Sequence, residues 1–272
     1  MVNGYSATSL REALDIRADH DVTPYAGGTD LMIENKKEDC YLFLNRVAEL
    51  KQITTDNQFI RIGTGCTFTE LLEHDLAPAI LKEAVSQIAA PAIRNLGTVG
   101  GNIGNGSPKA DSVLIYFVTD SKLRLMSRNG ERIVPIKEFY LGRKKLDLHP
   151  DELIVEVLMP KKGLDRYYYK KIGARNALAI SRVSFAALLS VENDVIQNCA
   201  TAFGAIAEVI LRRDDLDSML IGKTIKEAKA VKADYLNAFD QAIQPIRGRI
   251  SAEYRKDVCM NLLKDFLETM GI

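Results

Sequence analysis

One stretch of eighteen residues, from Asn95 to Ser112, holds five of the eighteen glycines of the chain. Glycine allows positive φ and close approach of another group, so successive amide groups, including those of Gly101, can turn toward one anion. Thr98 and Asn102 add polar side chains, and Asp111 adds an acceptor suited to a sugar hydroxyl. The stretch therefore predicts a loop that recognises a phosphate and a ribose, with a glycine-rich surface turn as the alternative.

A second, shorter glycine turn lies about seventy positions earlier, in Ala26-Gly27-Gly28-Thr29-Asp30-Leu31. It follows a short strand pattern and precedes a helix that we expect to begin at Asp30, so its amide groups would also face an anion. Neither turn has the spacing of a P-loop or of a Rossmann dinucleotide motif, which disfavours both of those folds. Two phosphate-type turns at this separation indicate a different dinucleotide-binding fold.

The composition is that of an ordinary globular protein. The chain has 272 residues, of which 47% are hydrophobic, enough for one large domain or two smaller ones. Its 36 basic and 36 acidic residues balance, which gives no reason to expect a nucleic-acid or membrane partner. No apolar run is long enough to span a bilayer, and residues 1–5 lack the pattern of a signal peptide. We therefore expect a cytoplasmic protein.

The cysteines and histidines do not form a metal-binding pattern. Cys40, Cys66, Cys199 and Cys259 are too far apart for a zinc or iron–sulfur motif, and we expect them to be reduced core thiols. The three histidines have no partner four residues away. The pattern therefore predicts neither a metal site nor a histidine-based catalytic group.

Periodicity divides the first 160 residues into two lobes, about 1–55 and 56–160, followed by a domain over residues 164–272. The linker is Pro160-Lys161-Lys162-Gly163. The predicted elements are helices over Ser6–Arg17 (capped by Ser6), Pro78–Ala90 and Ser251–Met270, strands at 23–26, 41–44, 59–63, 152–158, 184–192 and 195–203, and a hairpin around Arg128-Asn129-Gly130.

The two glycine turns carry a family resemblance. Residues 26–31, followed by Ile93-Arg94-Asn95-Leu96-Gly97-Thr98-Val99-Gly100-Gly101-Asn102-Ile103 and Ala110-Asp111-Ser112, closely resemble the FAD-binding (medium) subunit of the molybdenum hydroxylases, of xanthine dehydrogenase and carbon monoxide dehydrogenase type. The resemblance implies an α+β fold: a two-lobed FAD-binding domain of the PCMH (vanillyl-alcohol oxidase-like) type, then a smaller α+β domain. It also implies partners, a [2Fe-2S] subunit and a molybdenum cofactor subunit, with NAD⁺ as electron acceptor.

The same resemblance implies an FAD site without a catalytic side chain, because the cofactor carries the chemistry. The implied FAD-binding residues are Ala26, Gly27, Gly28, Thr29, Asp30, Leu31, Ile88, Thr98, Gly100, Gly101, Asn102, Asp111, Val155 and Lys171. Ile88 lies at the end of the predicted helix, and for Ile88 and Val155 the alternative is packing in the core. For Lys171 the alternative is an exposed lysine without contact to a cofactor. Where many relatives have an Asp, this chain has Ala179 before Ile180, which puts any polar role of that position in doubt.

Two other functions stay open at this point. One is a scaffold or nucleotide-sensing subunit that keeps the fold without FAD turnover. The other is a stand-alone flavin reductase or oxidase, such as an enolpyruvyl reductase of cell-wall synthesis, which would need an acid or base near the flavin. The sequence offers no strong candidate for that group in the loops.

Overall fold

The computed structural model describes residues 3–34, 40–248 and 250–272. Residues 1 and 2, which belong to the segment tested for a signal peptide, lie outside the described residues. The helices are α1 Leu10–Asp19, α2 Leu31–Glu34, α3 Phe68–Glu73, α4 Ala79–Ser86, α5 Pro91–Arg94, α6 Val99–Gly104, α7 Asp111–Val118, α8 Ile136–Phe139, α9 Asp214–Asp217, α10 Ile225–Ala242 and α11 Ala252–Thr269. The strands are β1 Asn3–Ser6, β2 Thr23–Tyr25, β3 Cys40–Phe43, β4 Ile53–Thr55, β5 Phe59–Gly63, β6 Lys122–Ser127, β7 Gly130–Pro135, β8 Tyr140–Gly142, β9 Lys145–Leu146, β10 Leu153–Pro160, β11 Tyr167–Ile172, β12 Val183–Glu192, β13 Val195–Gly204 and β14 Leu211–Arg212.

The chain folds into two compact units. The first contains Met1–Pro78, Ile88–Ser107 and Asp120–Lys161, and the second contains Ala79–Gln87, Pro108–Thr119 and Lys162–Ile272. The second unit therefore takes α4 and α7 from the first 160 residues. A single boundary at the linker does not account for these two helices. The predicted division into domains at residues 160–163 stays a prediction.

The first unit begins with a small parallel sheet in the order β1-β3-β2. Parallel neighbours need a crossover, and α1 lies in the crossover between β1 and β2. The predicted capping by Ser6 is wrong, because Ser6 pairs with Phe43 in the sheet. Ser9 caps α1 instead, accepting a hydrogen bond from the Glu12 amide at 3.2 Å.

The first unit also contains a five-stranded antiparallel sheet, in the order β4-β5-β10-β6-β7, and the two-stranded sheet β8-β9. The predicted hairpin is confirmed, since Ser127 pairs with Gly130 across the turn between β6 and β7. Arg128 in that turn binds Asp15 at 2.9 Å and also contacts Asp19, both on α1. These ion pairs tie the hairpin to the helix of the smaller sheet.

Two predictions about the segment around the glycine stretch need correction. The helix predicted from Pro78 to Ala90 forms as α4, but it ends at Ser86, and Ala89 takes a φ of 42°. Ala90 is extended, with φ −98° and ψ 161°, because the Pro91 that follows it disfavours helical backbone there. The stretch predicted as a continuous loop contains the short helix α6 and the start of α7.

The second unit is built on the antiparallel sheet β11-β12-β13-β14. The strands predicted at 184–192 and 195–203 are confirmed as β12 and β13, and the predicted C-terminal helix is confirmed as α11. Aromatic rings fill the core, with Phe185, Phe203, Phe239 and Phe266 all fully buried. Within the described ranges, no helix has the length and apolar character needed to cross a membrane.

Candidate functional site

The two glycine turns lie against each other in the first unit. A Cβ added to Gly27 would lie 1.8 Å from the Leu96 carbonyl oxygen and 3.1 Å from the Gly97 Cα, so only glycine fits there. The Asn105 side-chain amide donates a hydrogen bond to the Asp30 carboxylate across the same junction. Two segments far apart in sequence therefore form one surface.

The first turn presents amide groups that the described part of the protein does not use. Gly28 has a φ of 66°, as a concave turn requires. Within that described part, no hydrogen-bond acceptor faces the amides from Gly27 to Leu31, whereas the amides of Met32 and Ile33 bond to Gly28 and Asp30. The turn is half-buried rather than covered. Its main-chain N–H groups are available to an anion.

The second turn is built differently from the predicted concave nest. Gly100 and Gly101 lie in the first turn of α6, which Thr98 caps, so the positive φ expected at Gly101 is wrong. The four amides at the start of α6 are used within the protein, with acceptors at 2.8–3.1 Å: Val99 to the Cys66 carbonyl, Gly100 to the Thr64 carbonyl, Gly101 to the Thr98 hydroxyl and Asn102 to the Thr98 carbonyl.

The second turn offers an open face at Gly101 and polar side chains instead of free amides. Gly101 is exposed, and a Cβ there would meet nothing but the Thr98 hydroxyl at 3.0 Å among the described atoms. The Thr98 hydroxyl accepts from the Gly101 amide and keeps its own proton to donate. A bound molecule can therefore approach the main chain of α6 closely at Gly101.

Ile88 and Val155 do not join the paired turns. Ile88 lies in the connection after α4, where the Arg94 guanidinium donates to its carbonyl at 2.7 Å and to that of Ala89 at 3.0 Å. The Val155 side chain is buried in the core with Leu14 and Leu42, and its carbonyl accepts from the Thr64 amide at 3.2 Å. Their contact with a cofactor stays a prediction.

Asp111 and Lys171 form a buried ion pair in the second unit, 2.7 Å apart, with each side chain 7% exposed. The Ser181 hydroxyl donates to the other Asp111 oxygen at 2.6 Å, and Lys171 donates to the Gln87 carbonyl at 2.8 Å. Burial raises the pKa of the Asp111 carboxyl, and Lys171 and Ser181 act in the opposite direction. The alternative of a simply exposed Lys171 is wrong, and its contact with FAD stays a prediction.

The sequence analysis did not identify two residues that hold the paired glycine turns in place. Asn105 joins the turns, and Thr64 bonds to the start of α6. Asn105 stands between two glycines of the stretch, and Thr64 stands in Gly63-Thr64-Gly65 directly after β5. A polar residue flanked by glycines was the available signal in both cases.

Comparison with known proteins identifies the family. Residues 1–162 match the FAD binding domain in molybdopterin dehydrogenase, and residues 167–270 match the CO dehydrogenase flavoprotein C-terminal domain. The chain belongs to this family. The xanthine dehydrogenase FAD-binding subunit of Escherichia coli O157:H7 is 34% identical over 220 residues, covering 76% of this chain and 75% of that one. The nicotinate dehydrogenase FAD-subunit of Eubacterium barkeri is 28% identical, covering 96% and 93%.

Solved structures agree on the fold. Reconstituted CO dehydrogenase from Oligotropha carboxidovorans superposes with a TM-score of 0.89 at 23% identity, covering 98% of this chain and 96% of that one. Quinoline 2-oxidoreductase from Pseudomonas putida 86 gives 0.89 at 22% identity, covering 100% and 97%. The predicted α+β class is confirmed, and the chain is an FAD-binding oxidoreductase subunit of the molybdenum hydroxylase type.

The residues present fit FAD. A pyrophosphate needs several free N–H donors and no side chain in the way, and the Gly27–Leu31 amides with the open surface at Gly101 meet both needs. The four cysteines are free thiols, three of them buried. No group of three His, Cys, Asp or Glu side chains suited to a metal occurs in the described segments.

Proposed function

We propose that this chain holds FAD at the paired glycine turns and relays electrons from [2Fe-2S] clusters on a partner subunit to NAD⁺ or another acceptor. The observation that carries the proposal is the set of unused amides from Gly27 to Leu31, pressed against the segment that holds Gly101. Substrate oxidation would take place on a separate molybdenum cofactor subunit.

Each turn has its own task in this proposal. The amides of the Gly27–Leu31 turn hold the pyrophosphate, because uncommitted N–H groups bind an anion without breaking existing hydrogen bonds. Thr98 and Asn102 supply side-chain groups beside the open face at Gly101. The family resemblance also implies a contact with FAD for each of five further residues, which stay predictions: Ala26, Ile88, Asp111, Val155 and Lys171.

The chemistry belongs to the cofactor, and the chain binds and orients it. FAD supplies the capacity to accept and release electrons singly or in pairs. The buried pair of Asp111 and Lys171 contributes fixed charges that no solvent screens. The proposal assigns no side chain as general acid or base.

The proposal of partner subunits is supported by relatives that are themselves described as subunits. The carbon monoxide dehydrogenase medium chain of Hydrogenophaga pseudoflava, 28% identical, and the 6-hydroxypseudooxynicotine dehydrogenase complex subunit alpha of Paenarthrobacter nicotinovorans, 26% identical, are components of larger assemblies by description. We expect the complex to work in the cytoplasm, in keeping with four free cysteines.

The test compares the chain alone with the chain co-expressed with its genomic neighbours. The purified chain should bind one FAD, seen in its visible spectrum, and should bind FMN far more weakly because FMN lacks the pyrophosphate. NADH oxidation with an artificial acceptor should require FAD, and substrate-dependent NAD⁺ reduction should require the co-expressed partners. Equal affinity for FMN would overturn the site, and NAD⁺ reduction by the chain alone would replace the relay with a stand-alone flavoenzyme.

A further inference from the structure

We propose that Thr64 is a positioning residue that fixes the start of α6 against β10 and thereby sets the shape of the FAD site. Thr64 lies outside both glycine turns, directly after β5, and is 4% exposed. The inference rests on the proposed location of FAD. It concerns how that location keeps its shape when FAD is absent.

All three polar groups of Thr64 bond to main chain. Its hydroxyl donates to the Ile154 carbonyl at 2.6 Å, and its amide donates to the Val155 carbonyl at 3.2 Å. Its carbonyl accepts from the Gly100 amide at 2.8 Å. Thr64 is therefore a direct bridge between β10 and the first turn of α6.

Two successive carbonyls of β10 accept hydrogen bonds from Thr64, at a β-bulge. The pairing of β10 with β6 shifts register between Ile154 and Glu156, and the residue inside that shift is Val155. The Ile154 carbonyl accepts from the Thr64 hydroxyl and the Val155 carbonyl from the Thr64 amide, so both bonds to Thr64 lie at the irregularity. Bulges occur where a site needs a particular geometry.

Thr64 also packs closely against α6, at Gly100. A Cβ added to Gly100 would lie 2.7 Å from the Thr64 Cβ, so α6 rests on Thr64 at a separation that only glycine allows. Gly101 and Asn102 lie in the same helix, and Thr98 caps it. A displacement of α6 at Thr64 therefore moves all three proposed FAD-binding residues.

The decisive comparison is Thr64→Val against Thr64→Ser. Valine keeps the shape of threonine but leaves the Ile154 carbonyl without its donor, whereas serine keeps the hydroxyl. We expect T64V to raise the Kd for FAD about tenfold and T64S to change it by less than about threefold, because the Ile154 carbonyl left without a donor would displace Thr64 and, with it, the start of α6. The visible circular dichroism of bound flavin reports the surroundings of the ring. It should differ from wild type in T64V and match wild type in T64S.

Thr201→Val is the matched control. Thr201 is fully buried in the second unit, and its hydroxyl donates to Asp217 at 2.8 Å, so its loss also destabilises the protein. Urea unfolding of the apoproteins places the variants on one stability scale. Thr64→Ala, which lacks the hydroxyl and cannot clash, replaces T64V if valine prevents folding.

Weaker FAD binding in T64V than in T201V at equal stability, restored by serine, supports the positioning role. If wild-type protein binds FAD and T64V binds it no worse than T201V does, the positioning role is wrong and the proposed site stands. If wild-type protein binds no FAD, the proposed site is wrong and the inference falls with it.

Discussion

Gly27 contacts the Leu96 main chain so closely that a Cβ on Gly27 would lie 1.8 Å from the Leu96 carbonyl oxygen. Main chain meets main chain there, so no flexible side chain can move aside. This contact brings the unused amides of the first turn next to the segment that carries the second turn. The proposed FAD site depends on that proximity.

Replacing Gly27 with alanine should separate the turns. We expect Gly27→Ala to abolish stoichiometric FAD binding and to lower stability, because the clash can be relieved only by moving backbone. The measurement is the ratio of flavin absorbance to protein absorbance after purification, with the thermal midpoint beside it. Gly130→Ala is the control, since a Cβ at Gly130 would meet nothing within 4 Å. A yellow Gly27→Ala protein with normal stoichiometry would contradict the close packing.

The two adjacent glycines of α6 should respond differently. Gly101→Ala should change the stability of the apoprotein by less than about 1 kcal/mol, since the gain from the better helix former offsets the 3.0 Å contact of its Cβ with the Thr98 hydroxyl. It should nevertheless weaken FAD binding, because the methyl group would occupy the open face. Gly100→Ala should instead lower stability, because its Cβ would lie 2.7 Å from that of Thr64. Urea unfolding and FAD titration on both variants separate the two effects.

If Gly101→Ala binds FAD as tightly as wild type, the open face at Gly101 is not where FAD lies. If Gly100→Ala is as stable as wild type, the contact with Thr64 is looser than the structure has it.

The sequence predicts the sheet of the second unit well because alternating and apolar runs there are long. Both β12 and β13 have ten residues, and their predicted boundaries differ from the observed ones by one residue. The apolar stripe that predicts α11 is equally long, and Ser251 caps it. Long periodic patterns average out local exceptions, so element type is secure for such segments.

Glycine content, by contrast, misleads at the second turn. Five glycines in eighteen residues predict a loop, yet α6 forms because Thr98 caps it and Val99 and Ile103 are buried one turn apart. Tertiary packing outweighs propensity here. The burial of Lys171 could not be predicted from the sequence either. Its partner Asp111, which also binds Ser181, lies 60 positions away in the chain, so no local pattern indicates the ion pair.

The buried pair of Asp111 and Lys171 should stabilise the second unit only as a pair. Lys171→Met leaves the Asp111 carboxylate buried without its cation, which should cost about 3–5 kcal/mol of unfolding free energy. Ser181→Ala, which removes one hydrogen bond to Asp111, should cost about 0.5–1.5 kcal/mol. The double variant Asp111→Leu with Lys171→Met should recover most of the loss, and urea unfolding measures all three.

The same double variant tests the contact with FAD that the family resemblance implies. If Asp111 and Lys171 touch FAD, binding should weaken even where stability returns. If affinity returns together with stability, the pair supports the fold alone. A double variant that is less stable than Lys171→Met alone would show that the unpaired Asp111 charge is not the cause of the loss.

Asp217 predicts a pH dependence of stability in the second unit. Its buried carboxylate accepts from the Thr201 amide at 2.9 Å and from the Tyr235 hydroxyl at 2.9 Å, and it contacts the Arg212 guanidinium. Burial raises the pKa of Asp217 from its ordinary value of 3.8 to about 6, although these partners act against the rise. Between pH 4 and pH 6, therefore, the folded protein holds a proton that the unfolded chain has lost.

Because the folded state binds that proton more tightly, Asp217 adds stability below about pH 4, and this stability is lost as pH rises through 6. The loss should amount to ~3 kcal/mol across that window. Asp215, whose pKa is lowered to about 2 by Arg213, acts only below pH 4. Urea unfolding at half-unit steps from pH 4 to 7 should therefore show a slope that Asp217→Asn removes and Asp215→Asn keeps. An unchanged slope in Asp217→Asn would mean that another group binds the proton.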